Sequence, residues 1–332
     1  MQALNTAIRQ GFFDSTAGYY REHAEKHPND RPYSYLWPIC ALFQAGNEME
    51  KVEKGGQYLQ PTLRVIRDYH DPSAPRAGYA SYLMKFNGGT RFYDDNQWIG
   101  ITAMDAYDRL KDTQYLALGT EIYSFMMSGF DTVAGGGLYW EEGNRKTKNT
   151  CSNGPGVILA LQLYKATGRK AYLDTALLLY NWVNTKLRTP SGLYYDNIKT
   201  ADGSIGRQVY SYNTGTMMQS AIYLYECTGN RSYLQTAISM ADSSAAFFLA
   251  NGRFRDNYWF SAVLLRAYQH LLKHHKDPSY LRAFQACLDH SLRTRRNDQG
   301  LFRSHRNSTL DLVAHGGMLE ILARFAQLQD TE

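Results

Sequence analysis

The chain has 332 residues, 44% of them hydrophobic, which is enough for one large domain with a sizeable core. Its net charge is only +5 and its basic residues are scattered, which argues against a nucleic-acid partner. The densest basic run, Arg293-Thr294-Arg295-Arg296, reads as a solvated loop. No apolar run reaches the ~18 residues of a membrane-spanning helix.

The start, MQALNTAIRQGFF, has no charged segment followed by an apolar one. The protein is therefore expected to be cytoplasmic, or exported by a signal trimmed from this sequence. A first apolar segment opens near Tyr35, and others open near Asp94, Asn153, Asn213, Asp256 and His315. Between them recur Tyr-Leu pairs at Tyr58, Tyr115, Tyr172, Tyr233 and Tyr280. The clearest copies are YKATGRKAYLDTA (Tyr164 to Ala176) and YECTGNRSYLQTA (Tyr225 to Ala237). A second element recurs as GLYW at Gly137, GLYY at Gly192, GRF at Gly252 and GLF at Gly300. Six apolar segments in this length give a unit of about 55 residues, longer than the ~34 of a tetratricopeptide repeat and suited to a helical hairpin with loops. VILALQLY (Val157 to Tyr164) is apolar on nearly every side, as in a helix buried all round, whereas polar positions interrupt YLDTALLLYNWV (Tyr172 to Val183) as on an outer helix. Thr-Gly supplies helix stops, and Asp or Asn supplies starts. Alternating β-branched strands are hardly visible. The expected fold is all-α, an (α/α)6 toroid over residues 1–332 as a single domain, with six inner helices inside six outer ones. The loops before the inner helices then meet at one mouth, bringing RFYDDNQW, NTCSNGPG, SYNTGTM, FRDNYW and LVAHGG to a common cleft.

The pair Asp94-Asp95 admits two readings. Asp94 before an apolar-periodic run is a good helix cap. A cap explains neither the second carboxylate nor the aromatic frame of Phe92, Tyr93 and Trp98. The alternative is the two carboxyl groups of a glycosidase, about 5–5.5 Å apart in retaining enzymes and about 6.5–9.5 Å apart in inverting ones. Adjacent residues within a helix diverge by about 100°, but a pair straddling the loop-to-helix junction can converge. There Asp94, nearer the helix N–H groups, would stay ionised as a nucleophile, while Asp95 beside that charge would keep a proton for the leaving oxygen. The aromatic content of 14%, with 26 tyrosines and 5 tryptophans, suits sugar stacking as well as filling the space between helices.

Other cleft candidates each have a plainer account. Asn153 and Asn213 are followed within two residues by Gly, so turn chemistry competes with sugar binding. Tyr210 and Tyr212 could stack on a sugar or reach its hydroxyls. Asp256 and Trp259 repeat the Asp-x-x-Trp spacing, although Asp256 is also a good cap. Trp140 follows a Gly-rich turn that can approach a ligand closely, with Glu141 and Glu142 beside it read as solvated. His315 opens the last inner helix and could bind a hydroxyl or cap. His270 and His274 are four apart and could hold zinc, but no HExxH is present and they read as surface histidines. Cys40, Cys151, Cys227 and Cys287 form no CxxC pair, and Cys40 and Cys227 read as small buried hydrophobes. No phosphate loop, dinucleotide fingerprint or nucleophile elbow is found.

The YDDNQW block, followed by NTCSNG, GLYY and SYNTG, resembles glycoside hydrolase family 76, the endo-α-1,6-mannanases, in order and spacing from about Tyr33 to the last helix. The resemblance implies an α/α toroid that cleaves α-1,6-linked mannose backbones with retention and without a metal or other cofactor. By it Asp94 matches the nucleophile and Asp95 the acid/base. The expected partner is a mannose-containing oligo- or polysaccharide, bound by a monomer. Where a second large aromatic is expected after Trp98, this chain has Ile99, which bears on a sugar subsite. Three other readings of the toroid remain. A sugar 2-epimerase would need two cleft histidines, a lanthionine cyclase would hold zinc on Cys-Cys-His, and a glycan-binding protein would keep the scaffold without catalysis.

Overall fold

A computed structural model describes residues 1–305 and 308–329. Among these residues, six inner helices form a ring: α2 (Leu36–Val52), α4 (Tyr93–Leu110), α6 (Thr150–Thr167), α8 (Ser211–Thr228), α10 (Tyr258–Leu272) and α12 (Leu312–Gln329). Each packs on the next, and α12 returns to pack on α2. Outside them lie α1 (Gln2–Phe12), α3 (Leu59–Arg67), α5 (Thr113–Met127), α7 (Lys170–Lys186), α9 (Arg231–Phe248) and α11 (Ser279–Thr294). The fold is an α/α toroid. Every recurrent Tyr-Leu pair falls at the start of an outer helix. The sixth outer helix is α1, which carries no Tyr-Leu mark and packs against α12 from the other end of the chain.

The Thr-Gly repeat has a local cause. Gly168 and Gly229 end α6 and α8 in the left-handed region (φ 69° and 71°), and their N–H groups donate to the Tyr164 and Tyr225 carbonyls. L-residues with a side chain rarely adopt that backbone, so glycine stops the helix there at little strain. Lys111 makes the same stop after α4 at φ 56°. Helix α6 is buried all round from Thr150 to Leu163. The outer helices instead bury one face, as Leu59, Leu63 and Ile66 do on α3.

Two expectations need correction. Asp and Asn do not generally start the inner helices. Phe92, Asn149 and Tyr210 precede α4, α6 and α8 in extended conformation with no side-chain cap, whereas Asn257 caps α10 by accepting the Phe260 N–H and Asp311 caps α12 by accepting the Ala314 N–H. Asp94 therefore lies inside the first turn and is not the cap.

Strands are also present. Two short hairpins pair β1 (Phe13–Asp14) with β2 (Tyr19–Tyr20) and β3 (His70–Asp71) with β4 (Gly78–Tyr79). A four-stranded antiparallel sheet joins β5 (Tyr139–Glu141), β6 (Asn144–Asn149), β7 (Tyr195–Lys199) and β8 (Ile205–Val209) in that order. These strands are polar, as in NRKTKN, and so lack the apolar alternation by which a half-buried strand is recognised. Each hairpin leads into an inner helix, β5–β6 into α6 and β7–β8 into α8.

Close approach of the inner helices depends on small residues. A Cβ on Gly317 of α12 would lie 2.3 Å from the backbone nitrogen of Trp259, and one on Gly215 of α8 would lie 2.9 Å from Leu264 Cα. Backbone cannot step aside as a side chain can. Gly317→Ala is therefore expected to destabilise the protein by about 1–3 kcal/mol or more through overpacking, measured as a lowered denaturation midpoint. An unchanged midpoint would mean that the α10–α12 contact is looser than described.

Candidate active site

The N-terminal ends of the inner helices surround a cleft of about 700 Å³, within the usual range for small-ligand sites. Asp94 and Asp95 stand on its floor in the first turn of α4. Trp37, Phe92, Trp98, Tyr210, Tyr212, Trp259 and Phe260 form its aromatic walls, and Trp140 forms part of the rim, 40% exposed. The walls support one another. Trp259 stands edge-on to both Trp37 (5.5 Å) and Trp98 (5.1 Å), its indole N–H donates to Gln44 Oε1 at 2.8 Å, and Tyr212 stacks on Phe260 at 4.1 Å.

The two carboxylates have different surroundings. Asp94 Oδ2 accepts the Trp140 indole N–H at 3.2 Å, and its Oδ1 is buried without a partner. Desolvation raises the Asp94 pKa to about 6, while the Cys151 thiol, the Trp140 N–H and the first-turn N–H groups of Asp95 and Asp94 hold it back. Among the described residues, the Asp95 carboxylate has no hydrogen bond. Burial raises its pKa well above the ordinary aspartate value, and the negative charge of Asp94 raises it further. The split runs in the direction expected from the sequence, but both groups move up. Helix-end N–H groups do not outweigh desolvation at Asp94.

A third cleft carboxylate is Asp196 on β7, and sequence reasoning missed it. Burial raises its pKa, and the Asn197 and Asn213 amides lower it. Asn197 Nδ2 donates to Asp196 Oδ2 at 2.7 Å. Both residues line the cleft because the strand register shifts between Tyr195 and Asn197, which brings consecutive side chains to the same side. Gly206 opposite leaves room, since a Cβ there would lie 2.8 Å from Asn197 Nδ2. Cys151 in NTCSNG also lines the cleft. Only its place beside the Asn-rich block could have marked it.

Several expected site residues turn away from the cleft. Tyr93 is buried against Phe125 with its ring toward Ser128. Asn153 is fully buried, holding both the N–H and the carbonyl of Leu138 and the carbonyl of Asn149. Asn213 is fully buried behind Asp196 with neither amide atom in a regular hydrogen bond. Asp256 accepts the Ser211 N–H at 2.6 Å and so ties the start of α8 to the loop before α10. His315 is fully buried, accepting the Phe302 N–H on Nε2 and bonding the Asp311 carbonyl through Nδ1, and burial lowers its pKa to about 4. Ile99 is core, fully buried. No histidine lines the cleft among the described residues, so the acid and base of an epimerase are not assembled there. His270 is buried rather than a surface residue, 7% exposed.

The sequence profile described as Glycosyl hydrolase family 76 matches residues 4–273. Mannan endo-1,6-alpha-mannosidases of Saccharomyces cerevisiae and Candida glabrata are 29% and 28% identical over 183 and 171 residues, or 50% and 47% of this chain. The aligned stretch spans only 41% and 38% of those two relatives. A family 76 mannosidase of Bacteroides thetaiotaomicron superposes with a TM-score of 0.90 at 23% identity, covering 99% of this chain and 98% of that one. An alpha-1,6-mannanase of a Salegentibacter species, inactivated by asparagine at two consecutive aspartates and bound to alpha-1,6-mannotriose, superposes at 0.81 with 23% identity and 98% coverage of both chains. At that identity the two structural matches establish the fold.

The pKa directions carry a stability sign. A carboxyl raised in the folded state favours folding when protonated. That contribution is fully present below the unfolded aspartate pKa and is lost as pH rises through the folded one. Asp95→Asn is therefore expected to raise the melting temperature at neutral pH and to give no gain in acid, as followed by calorimetry across pH. Trp140→Phe removes a donor from Asp94, so the Asp94 titration followed by carboxyl NMR should move to higher pH. A downward movement would show that the indole does not stabilise the carboxylate.

Proposed function

The chain belongs to glycosyl hydrolase family 76, and from that premise we propose that it hydrolyses α-1,6-mannosidic linkages of mannan-type glycans with retention of configuration. The observation that carries this reading is the pair of consecutive carboxylates on the floor of an aromatic cleft, held in unlike surroundings. The names of the curated relatives supply the linkage. The Salegentibacter mannanase, inactive with two consecutive aspartates changed and holding a mannotriose, supports assigning the chemistry to the pair.

In this mechanism an Asp94 oxygen attacks the anomeric carbon as the glycosidic bond breaks, and Asp95 gives its proton to the departing oxygen. A glycosyl ester forms on Asp94. Asp95, now ionised, takes a proton from water, the water attacks the same carbon, and the sugar leaves with its original configuration. The adjacency of the two groups drives the change of role. While Asp94 is charged it keeps the proton on Asp95. Once Asp94 is esterified that charge is gone, the Asp95 pKa falls, and Asp95, having given up its proton, stays ionised and serves as the base. In this reading Trp140, Phe92 and Tyr212, which line the cleft, stack against mannose rings, and the cleft residues Asp196 and Asn197 bind their hydroxyls.

Product analysis on an unbranched α-1,6-mannan tests this. The wild type should release oligosaccharides whose first-formed anomer is α. Asp95→Asn should lose about 10²–10⁴-fold in rate, the usual range for general acid–base groups, and Asp94→Asn at least as much. Full activity in either variant would remove that residue from the chemistry, and a β anomer would replace retention with inversion. The rate should fall in acid as Asp94 is protonated and in alkali as Asp95 loses its proton, with the acid limb above the ordinary aspartate range.

A further inference from the structure

At the far end of the inner helices, away from the cleft, Glu226 near the end of α8 meets His270 in the last turn of α10 and His274 just beyond it. Both imidazole Nε2 atoms lie 2.8 Å from the same carboxylate oxygen, Glu226 Oε1. One donor atom from each of the three residues lies within 4.8 Å of the other two. The rings are braced, Tyr223 packing on His270 at 4.5 Å and Tyr225 on His274 at 5.3 Å. Glu226 and His270 are mostly buried, at 17% and 7% exposure, while His274 at 26% leaves the group open on one side.

From this geometry we propose that Glu226, His270 and His274 form a binding site for a zinc-class divalent metal ion. Two neutral imidazoles and one carboxylate are the ligand set of tetrahedral zinc sites with an open fourth position. Nitrogen donors favour zinc, cobalt or nickel over magnesium and calcium, which select oxygen. Metal–ligand bonds near 2.0–2.2 Å set donor atoms roughly 3.3 Å apart in a tetrahedron, so each imidazole would retreat about half an ångström from the carboxylate oxygen, and the two ring nitrogens, within 4.8 Å of each other, would settle at that spacing. Lys165 is the competitor. Its ammonium lies 2.6 Å from Glu226 Oε2, but the side chain is 47% exposed and free to swing into solvent. Glu226 lies fourteen residues beyond Tyr212 on α8, or about 21 Å along the helix, so an ion here clamps α8 to α10 without meeting the substrate. The proposal does not depend on the glycosidase reading.

The test is titration of untagged, chelator-treated full-length protein with zinc and with cobalt(II), followed by calorimetry and by the visible absorption of cobalt. One equivalent should bind, raise the melting temperature and give the intense band of four-coordinate cobalt. His274→Ala, which alters the most exposed ligand, should weaken binding about tenfold or more, by analogy with losses on disturbing metal sites, and Glu226→Gln should do the same without changing the shape of the group. Lys165→Met should tighten binding. Mannan cleavage by these variants should match the wild type. Absence of stoichiometric binding, binding unchanged in His274→Ala, or an equal response to magnesium would overturn the assignment.

Discussion

Closing a ring of six inner helices requires backbones to approach within side-chain distance at the seams. Gly317 meets Trp259 backbone, Gly215 meets Leu264 backbone, and Gly316 meets Ala41 on α2, where the ring shuts. A Cβ at any of these points would push neighbouring helices apart. Because the ring is tight, the N-terminal turns of the inner helices converge. Those turns have unsatisfied N–H groups, and four of the inner helices, α2, α4, α6 and α8, start without a side-chain cap. The site depends on this arrangement, since the residues that would ordinarily cap are free to face the cleft or to brace its walls.

Placing two carboxylates on one helical turn in a desolvated cleft costs folding energy, and the surroundings divide that cost unequally. Asp94 receives the Trp140 indole and the first-turn N–H groups, whereas Asp95 receives no hydrogen bond from the described residues. The same contacts that ease the charge on one group leave the proton on the other. Such local destabilisation is common where a site needs groups that a well-packed core would not choose. Trp140 thus has two parts, since its face lies open at the rim while its N–H holds a carboxylate.

The toroid was legible because its period is written in helix punctuation. Thr-Gly stops and Tyr-Leu starts mark helix ends whatever the tertiary context. Asp94, Asp95, Trp98, Tyr212 and Trp259 were legible as cleft residues because they stand at or near the starts of inner segments, and Trp140 because it follows a Gly-rich turn. That same rule misplaced Tyr93, Asn153, Asn213, Asp256 and His315. Position near a helix start fixes the end of the barrel but not the direction of the side chain, which successive residues change by about 100°. Asn153 illustrates the ambiguity: its amide satisfies the Leu138 backbone as well as it could satisfy a sugar. Asp196 was missed because it sits on a short polar strand that pairs on one side with β6, about fifty residues earlier, and Glu226 because its histidines lie on a different helix.

The four-stranded sheet also sets which changes of chain length the protein can absorb. Strands β6 and β7 pair Asn149 with Asn197, so the two segments leading into α6 and α8 share one register. A residue inserted within β7 would slip that register and exchange the faces of every side chain beyond it, taking Asp196 and Asn197 away from the cleft. The turn at Ala201-Asp202-Gly203, exposed and already in a left-handed conformation at Gly203, lies outside the paired stretch. Length variation among sequences of this architecture should therefore collect at that tip, leaving the interval from Gly192 to Asn197 constant in length even where its residues differ.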